Sequence, residues 1–189
     1  MDEDRLIWKS FKDGAESALS CIYHQNIDLL FSYGKKFTSD ENMVLDSIQD
    51  LFYDLIRYRE KLGETDNIRF YLLKSFRRTL VRAIEKQKRL SELDDQEFDT
   101  EDDRTFSAEE RFIETEESTR QHVLLRKGLR KLNAKQRELF YYKFTLGYDY
   151  PQICELMSIS YDSARQLVSR GLSTLKTYVN KQGETGVSA

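Results

Sequence analysis

A strongly acidic segment interrupts this chain of 189 residues near its middle and limits how the chain can fold. Residues 91–117 carry 13 acidic and two basic side chains, a net charge of −11. The first part of that segment, residues 91–105, has no helical apolar period. A segment with dense like charge and few apolar residues cannot bury enough apolar surface to offset the conformational entropy that is lost when it becomes ordered. The segment therefore predicts a linker between two small domains, residues 1–90 and 118–182, with a disordered tail over residues 183–189.

Two interpretations of the acidic linker stay open at this stage. It is either a solvated spacer or a segment that lies in a basic channel of a partner and mimics nucleic acid. The sequence on both sides of it is basic, because residues 66–90 carry a net charge of +6 and residues 118–189 a net charge of +7. Basic segments of this kind are typical of surfaces that bind nucleic acid.

Both domains are predicted to be all-α. One proline and eight glycines leave few helix breakers, and apolar residues recur at three- and four-residue steps. The predicted helices cover residues 3–12, 15–37, 41–61, 68–90, 110–132, 134–144, 150–157 and 161–178. The helix over residues 41–61 is predicted to bury one face, made of Leu45, Ile48, Phe52, Leu55 and Ile56.

The sequence disfavours metal, disulfide and membrane chemistry. Cys21 and Cys154 lie at apolar helical positions, and with His24 and His122 they form no ligand spacing, so we predict no metal site and no cofactor. The N-terminus is acidic and has no apolar core of a signal peptide. No run of about 18 apolar residues exists, so we predict no membrane span and a cytoplasmic location.

The last helix predicts a surface that reads duplex DNA. A short helix, a three-residue turn at Ser158–Ser160 and a longer helix form a helix-turn-helix pattern, with Ser160 as the predicted N-cap. One face of the long helix is apolar or small, and the other is polar. Arginine and glutamine suit bidentate hydrogen bonds to purine edges. The alternative is a plain amphipathic helix with a solvated face. The polar face comprises Asp162, Arg165, Gln166, Ser169, Arg170 and Ser173.

The third long helix, over residues 68–90, carries a second nucleic-acid pattern. Phe70 and Tyr71 precede a basic face, an arrangement that suits stacking of unpaired bases while cations hold the backbone. The alternative is that both rings belong to the core and that the cations only solubilise the helix. The basic face is formed by Lys74, Arg77, Arg78, Arg82 and Arg89.

Five motifs, in order, resemble the extracytoplasmic-function subgroup of the sigma-70 family of RNA polymerase sigma factors. Asp46–Phe52 is similar to the signature Asp-x-x-Gln-Asp/Glu-x-Phe of region 2. Arg69–Leu73 and the basic helix resemble the promoter-melting and minus-ten segment. Leu129–Glu138, Gly147–Cys154 and Ser163–Leu172 resemble the opening of region 4, its first helix-turn-helix element and its minus-thirty-five-reading helix.

The resemblance implies a sigma factor that binds core RNA polymerase and directs promoter-specific initiation without being an enzyme. The implied contacts with the coiled coil of the β′ subunit are Asp46, Gln49, Asp50 and Tyr53. The implied minus-ten contacts are Asn67, Arg69, Phe70, Tyr71, Lys74, Arg77, Arg78 and Arg82. The implied minus-thirty-five contacts are the six polar residues of the last helix. The β flap, promoter DNA and, as is common in the subgroup, an anti-sigma factor are the further implied partners.

Three other classes of protein explain less of this sequence. A helix-turn-helix regulator with a helical sensor domain explains the second domain but leaves Asp46–Phe52 and the basic-aromatic helix unexplained. A recombinase or terminase needs convergent carboxylates for Mg²⁺, and the acidic residues here lie in the linker or in the motif Asp46–Phe52. A pure interaction protein is the least specific alternative.

Overall fold

The structure is a computed structural model that describes residues 2–92 and 119–184. The chain divides into two compact units, Met1–Thr100 and Glu101–Ala189. Within the described residues both units are built from helices, with no strand, as the all-α prediction requires. The predicted linker from residue 93 onward and the tail from residue 185 lie outside the described residues.

In its described residues, 2–92, the first unit contains four helices. These are α1 (Asp2–Lys12), α2 (Glu16–Gly34), α3 (Glu41–Arg57) and α4 (Ile68–Glu92), with a short 3-10 turn at Arg59–Lys61. α2, α3 and α4 pack against one another. Gly34 allows their close approach, because a Cβ atom there would lie 2.6 Å from Cγ1 of Val44.

The N-terminal helix is fastened to the loop before α4. Trp8 is 0% exposed, and its indole Nε1 donates a hydrogen bond of 2.9 Å to the carbonyl oxygen of Gly63. A carboxylate oxygen of Asp4 accepts from the backbone N–H of Ile68 at 2.9 Å, and Lys12 pairs with Glu64. These contacts satisfy one of the unpaired donors at the start of α4 and fix its first turn.

The second unit contains α5 (Thr119–Leu129), α6 (Ala134–Phe140), α7 (Tyr150–Met157) and α8 (Tyr161–Glu184), with a π-helical segment at Tyr141–Thr145 after α6. α5, α6 and α7 all pack against α8. Gly171 brings α8 close to α6, because a Cβ atom there would lie 2.6 Å from Cε2 of Phe140.

The structure corrects several sequence predictions. Leu45 and Ile56 were assigned to the buried face of α3, but they are 49% and 50% exposed. Val44, Ser47 and Leu51 are buried in their place, together with Ile48, Phe52 and Leu55. α3 ends at Arg57 rather than at residue 61, and α8 continues to Glu184, beyond the predicted end near residue 178. α4 extends to Glu92, two residues into the predicted linker.

Candidate docking and nucleic-acid interfaces

The exposed side of α3 presents the four residues predicted to bind polymerase. Asp40 caps this helix by accepting from the backbone N–H of Met43 at 3.1 Å, and the buried stripe described above holds its inner side. The four residues fall at i, i+3, i+4 and i+7, and all four side chains are exposed. We call this set the docking face, and it comprises Asp46, Gln49, Asp50 and Tyr53.

Exposed apolar side chains lie within the docking face and along one edge of it. Tyr53 is 60% exposed, and Leu45 and Ile56 lie on the same outer side of α3. Sequence reasoning missed the last two because an apolar residue next to a buried stripe is read as core. Apolar side chains among carboxylates and an amide make a surface of mixed character, which is typical of protein–protein contacts.

The start of α4 is capped by Asn67 and packs against α1. The side-chain oxygen of Asn67 accepts from the backbone N–H of Phe70 at 2.9 Å, so Asn67 caps the helix. The ring of Tyr71 is half-buried, and its centroid lies 4.9 Å from that of Trp8. The alternative prediction, in which this ring belongs to the core, therefore applies in part to Tyr71. Phe70 is also half-buried.

The basic side of α4 follows this first turn. On this side Arg78 and Arg82 are exposed, whereas Lys74 and Arg77 are half-buried and have contacts within the protein. Arg69 is exposed in the first turn, about 180° around the helix from Arg78. The buried stripe of the helix is formed by Ile68, Leu72, Leu73, Phe76 and Leu80. Cations and aromatic residues thus lie on the same helix, α4. All eight predicted minus-ten residues lie on α4 or at its cap.

α7 and α8 form the predicted helix-turn-helix. Asp149 and Gln152 make a capping box at the start of α7, with Pro151 in the first turn. Ser158 adopts a left-handed conformation with φ 55° and ends the helix. The hydroxyl of Ser160 accepts from the backbone N–H of Ser163 at 3.2 Å, so the predicted N-cap of α8 is confirmed.

α8 separates its packing side from its polar side. Ala164, Val168 and Gly171 are buried against the other helices of the unit. The six predicted reading residues are all exposed. We call them the reading face, and it comprises Asp162, Arg165, Gln166, Ser169, Arg170 and Ser173.

The described residues contain no group of three or more His, Cys, Asp or Glu side chains placed to hold a metal ion. Cys21 and Cys154 are half-buried free thiols. Among the described helices, none is both long enough and apolar enough to cross a membrane.

Comparison with known proteins connects the second unit to one family. Residues 122–175 match the family model "Sigma-70, region 4". These residues include α6, α7 and most of α8 with the whole reading face, so the predicted similarity of the second unit to region 4 is confirmed. A search of curated proteins by sequence found no match.

Two solved structures share the fold. One is CnrH in complex with the cytosolic domain of CnrY, with a TM-score of 0.59 and 14% identity over 94% of this chain and 97% of that chain. The other is the sigma factor RpoE in complex with the anti-sigma factor NepR from Bartonella quintana, with a TM-score of 0.59 and 16% identity over 84% of this chain and 94% of that one. The predicted resemblance to sigma-70 sigma factors is confirmed in the second unit by the family model, and the two solved structures share the fold of this chain.

Proposed function

We propose that this chain is a sigma factor of the extracytoplasmic-function kind, which binds core RNA polymerase and directs it to promoters through two nucleic-acid surfaces. The observation that carries the proposal is the match of residues 122–175 to sigma-70 region 4, with every polar residue of the reading face exposed. A helix with this composition, presented by a helix-turn-helix, is suited to enter the major groove.

The reading face would select the upstream element. The guanidinium of Arg165 has paired donors, which suit the edge of guanine. The amide of Gln166 has a donor and an acceptor, which suit the edge of adenine. Asp162 can accept from the amino group of cytosine, and the serines can contact bases or phosphates. The face therefore supplies both sequence discrimination and register on the duplex.

The start of α4 would hold the melted strand. Phe70 and Tyr71 offer aromatic surface, and stacking on an unpaired base contributes about 1–3 kcal/mol, comparable to the cost of opening one base-pair step. The exposed arginines Arg78 and Arg82 would bind the backbone of the strand, and Arg69 would bind it separately at the first turn. Two sites on one chain raise the effective concentration of the second contact once the first has formed.

The docking face would bind the β′ coiled coil. Its carboxylates and amide would accept or exchange hydrogen bonds with the polymerase, while Tyr53, Leu45 and Ile56 would bury apolar surface. The two similar structures were each solved with a second protein, one of them described as an anti-sigma factor. We extend this to the present chain and propose that an anti-sigma factor controls access to polymerase.

The polymerase contact is tested by charge reversal on α3. Replacing Gln49→Arg and Asp50→Arg together should cost about 2–5 kcal/mol of binding to core polymerase, if the contact is buried, because cations would replace acceptors. The measurement is the Kd of the full chain for purified core polymerase. The matched control is Gln25→Arg with Asp28→Arg, since both residues are exposed on α2 of the same unit.

Equal affinity of both double variants and the unaltered protein, with unchanged circular dichroism, would remove α3 from the polymerase contact. A protein that binds specific duplexes without any affinity for polymerase would instead be a helix-turn-helix regulator.

A further inference from the structure

One side of α1 contacts the start of α4 and the loop before it. Asp4 and Trp8 lie four residues apart on α1, so their side chains project from the same side of the helix. A carboxylate oxygen of Asp4 accepts from the backbone N–H of Ile68 at 2.9 Å. Trp8 donates to the carbonyl oxygen of Gly63, and its ring centroid lies 4.9 Å from that of Tyr71. Neither Asp4 nor Trp8 belongs to the surfaces assigned above.

Asp4 caps the first helical residue of α4 from a distant part of the chain. The first backbone N–H groups of a helix have no acceptor within the helix, and a helix end without partners frays. Asn67 accepts from the N–H of Phe70 with its side chain at 2.9 Å and from the N–H of Tyr71 with its carbonyl at 3.1 Å. Ile68 donates instead to Asp4, 64 residues earlier in the chain. The contact with α1 therefore helps to keep the first turn of α4 closed.

The first turn of α4 carries the two rings that are proposed to stack on unpaired bases. Phe70 and Tyr71 are both half-buried, so their positions depend on the turn that holds them. When only a fraction of the molecules holds a binding-competent turn, the apparent affinity falls by that fraction. A turn that is closed before the bases arrive also loses less conformational entropy on binding. Closure of the first turn is therefore expected to favour capture of the melted strand.

Resting on the proposed function of α4, we propose that Asp4 is a positioning residue for capture of the melted strand. Its carboxylate holds Ile68 and so keeps Phe70 and Tyr71 in place while the duplex opens. Trp8 supports the same turn, but it is fully buried and its loss affects the whole unit. Asp4 is half-buried and lies in the first turn of α1, so it can be replaced with the core intact.

Asp4→Ala and Asp4→Asn together separate the hydrogen bond from the charge. Both remove a negative charge from the start of α1 and from the neighbourhood of the α4 N-terminus, where such a charge is favourable. Asparagine keeps an oxygen that can accept from Ile68, whereas alanine keeps none. Alanine is the better helix former, so helix propensity in α1 acts against the predicted order. A greater defect for Asp4→Ala than for Asp4→Asn therefore reports the hydrogen bond.

Hydrogen exchange of the full chain tests whether Asp4 holds the turn. Amide exchange reports local opening of a structure. In Asp4→Ala the amides of Ile68 and Phe70 should exchange about 3- to 10-fold faster than in the unaltered protein, as expected for the loss of one hydrogen bond. In Asp4→Asn the exchange rates should stay close to those of the unaltered protein.

The rate of promoter opening tests whether the turn acts in melting. Core polymerase with each variant is assayed on promoters selected from genomic DNA by the complex that contains the unaltered protein. Asp4→Ala should open these promoters about 3- to 10-fold more slowly, and Asp4→Asn should restore most of the rate. Affinity for a duplex of the upstream element should be equal for all variants, because the reading face belongs to the second unit. The assays are run at a temperature at which circular dichroism shows every variant folded.

Lys12→Ala is the matched control. Lys12 also connects α1 to the loop before α4, through its ion pair with Glu64. That pair joins α1 to the loop rather than to α4, so its removal tests whether any weakened attachment of α1 is enough to slow opening. Exchange of the Ile68 amide and the opening rate should both equal those of the unaltered protein.

Three outcomes overturn the proposal. These are equal opening rates for Asp4→Ala and Asp4→Asn, faster exchange in Asp4→Ala without slower opening, and a loss for Lys12→Ala as large as that for Asp4→Ala. Failure of the proposed function is a separate result, in which the unaltered protein with core polymerase selects and opens no promoter. The role of Asp4 in melting then falls with it, and faster exchange in Asp4→Ala would describe a structural cap alone.

Discussion

The reading face of α8 and the start of α4 both present groups suited to nucleic acid, but they are built differently. On α8 the polar residues project from one side, and the buried residues Ala164, Val168 and Gly171 occupy the other. At the start of α4, Asn67 caps the helix and Tyr71 contacts the buried Trp8. The same side chains therefore serve the fold and the proposed site.

Because of this difference, mutations in the two units should differ in their effects on DNA selection and on stability. Replacing a residue of the reading face should alter DNA selection without altering stability. A change at the start of α4 should alter both, because α1, the loop before α4 and the first turn of α4 are joined through Trp8, Asp4 and Tyr71. The following predictions test that separation.

Trp8→Ala should have the largest effect. It removes a fully buried indole and its hydrogen bond to Gly63, at an expected cost of about 3–5 kcal/mol in the free energy of unfolding of the first unit. Chemical denaturation measures this loss. Leu6→Ala is the control on the same helix, because Leu6 is exposed and should change stability by less than about 0.5 kcal/mol. Similar losses for both variants would contradict the role of α1 as an anchor for α4.

Truncation of the aromatic residues should separate melting from folding. Phe70→Ala and Tyr71→Ala are each expected to cost about 1–3 kcal/mol of open-complex stability through lost stacking. Tyr71→Ala should also destabilise the first unit, since its ring packs on Trp8. Open-complex formation is measured on duplex and on pre-melted promoter DNA, and pre-melted DNA should partly rescue a folded variant. Wild-type opening rates for both folded variants would remove these rings from the mechanism.

Arg165→Ala should have the smallest effect on the fold and a selective effect on DNA. Its stability should stay within about 0.5 kcal/mol of the unaltered protein, because the side chain is exposed. Its affinity for the preferred upstream element should fall by about 1–3 kcal/mol, with relaxed specificity at one position. Lys74→Ala is the contrast, and it should weaken binding to all sequences and lower the salt dependence. A uniform loss for Arg165→Ala would contradict base reading.

Much of the second unit could be predicted from the sequence, because each signal there is local. The turn at Ser158–Ser160, the cap at Ser160 and the alternation of faces on α8 depend on residues within a few positions of one another. The structure retains all of them. The contacts of Tyr150 with Lys143 and Tyr161 were missed because the three residues come from three elements and meet only after folding.

The first unit was harder to predict because its key contacts join distant residues. Trp8 and Gly63 lie 55 positions apart, and Asp4 and Ile68 lie 64 positions apart. On α1, Trp8 is fully buried whereas Leu6 is 66% exposed, although both are apolar residues of the same short helix. On α3, Leu45 and Ile56 lie at the edge of the buried stripe, where spacing alone cannot decide between core and surface.

The most direct test of the account is transcription by purified core polymerase supplemented with the full chain. The account predicts initiation at discrete start sites on genomic DNA, with shared upstream and minus-ten elements. Arg165→Ala should change the preferred upstream element only, and Gln49→Arg with Asp50→Arg should abolish initiation. Initiation no higher than with core polymerase alone, under conditions in which the chain is folded and no anti-sigma factor is present, would contradict the central claim.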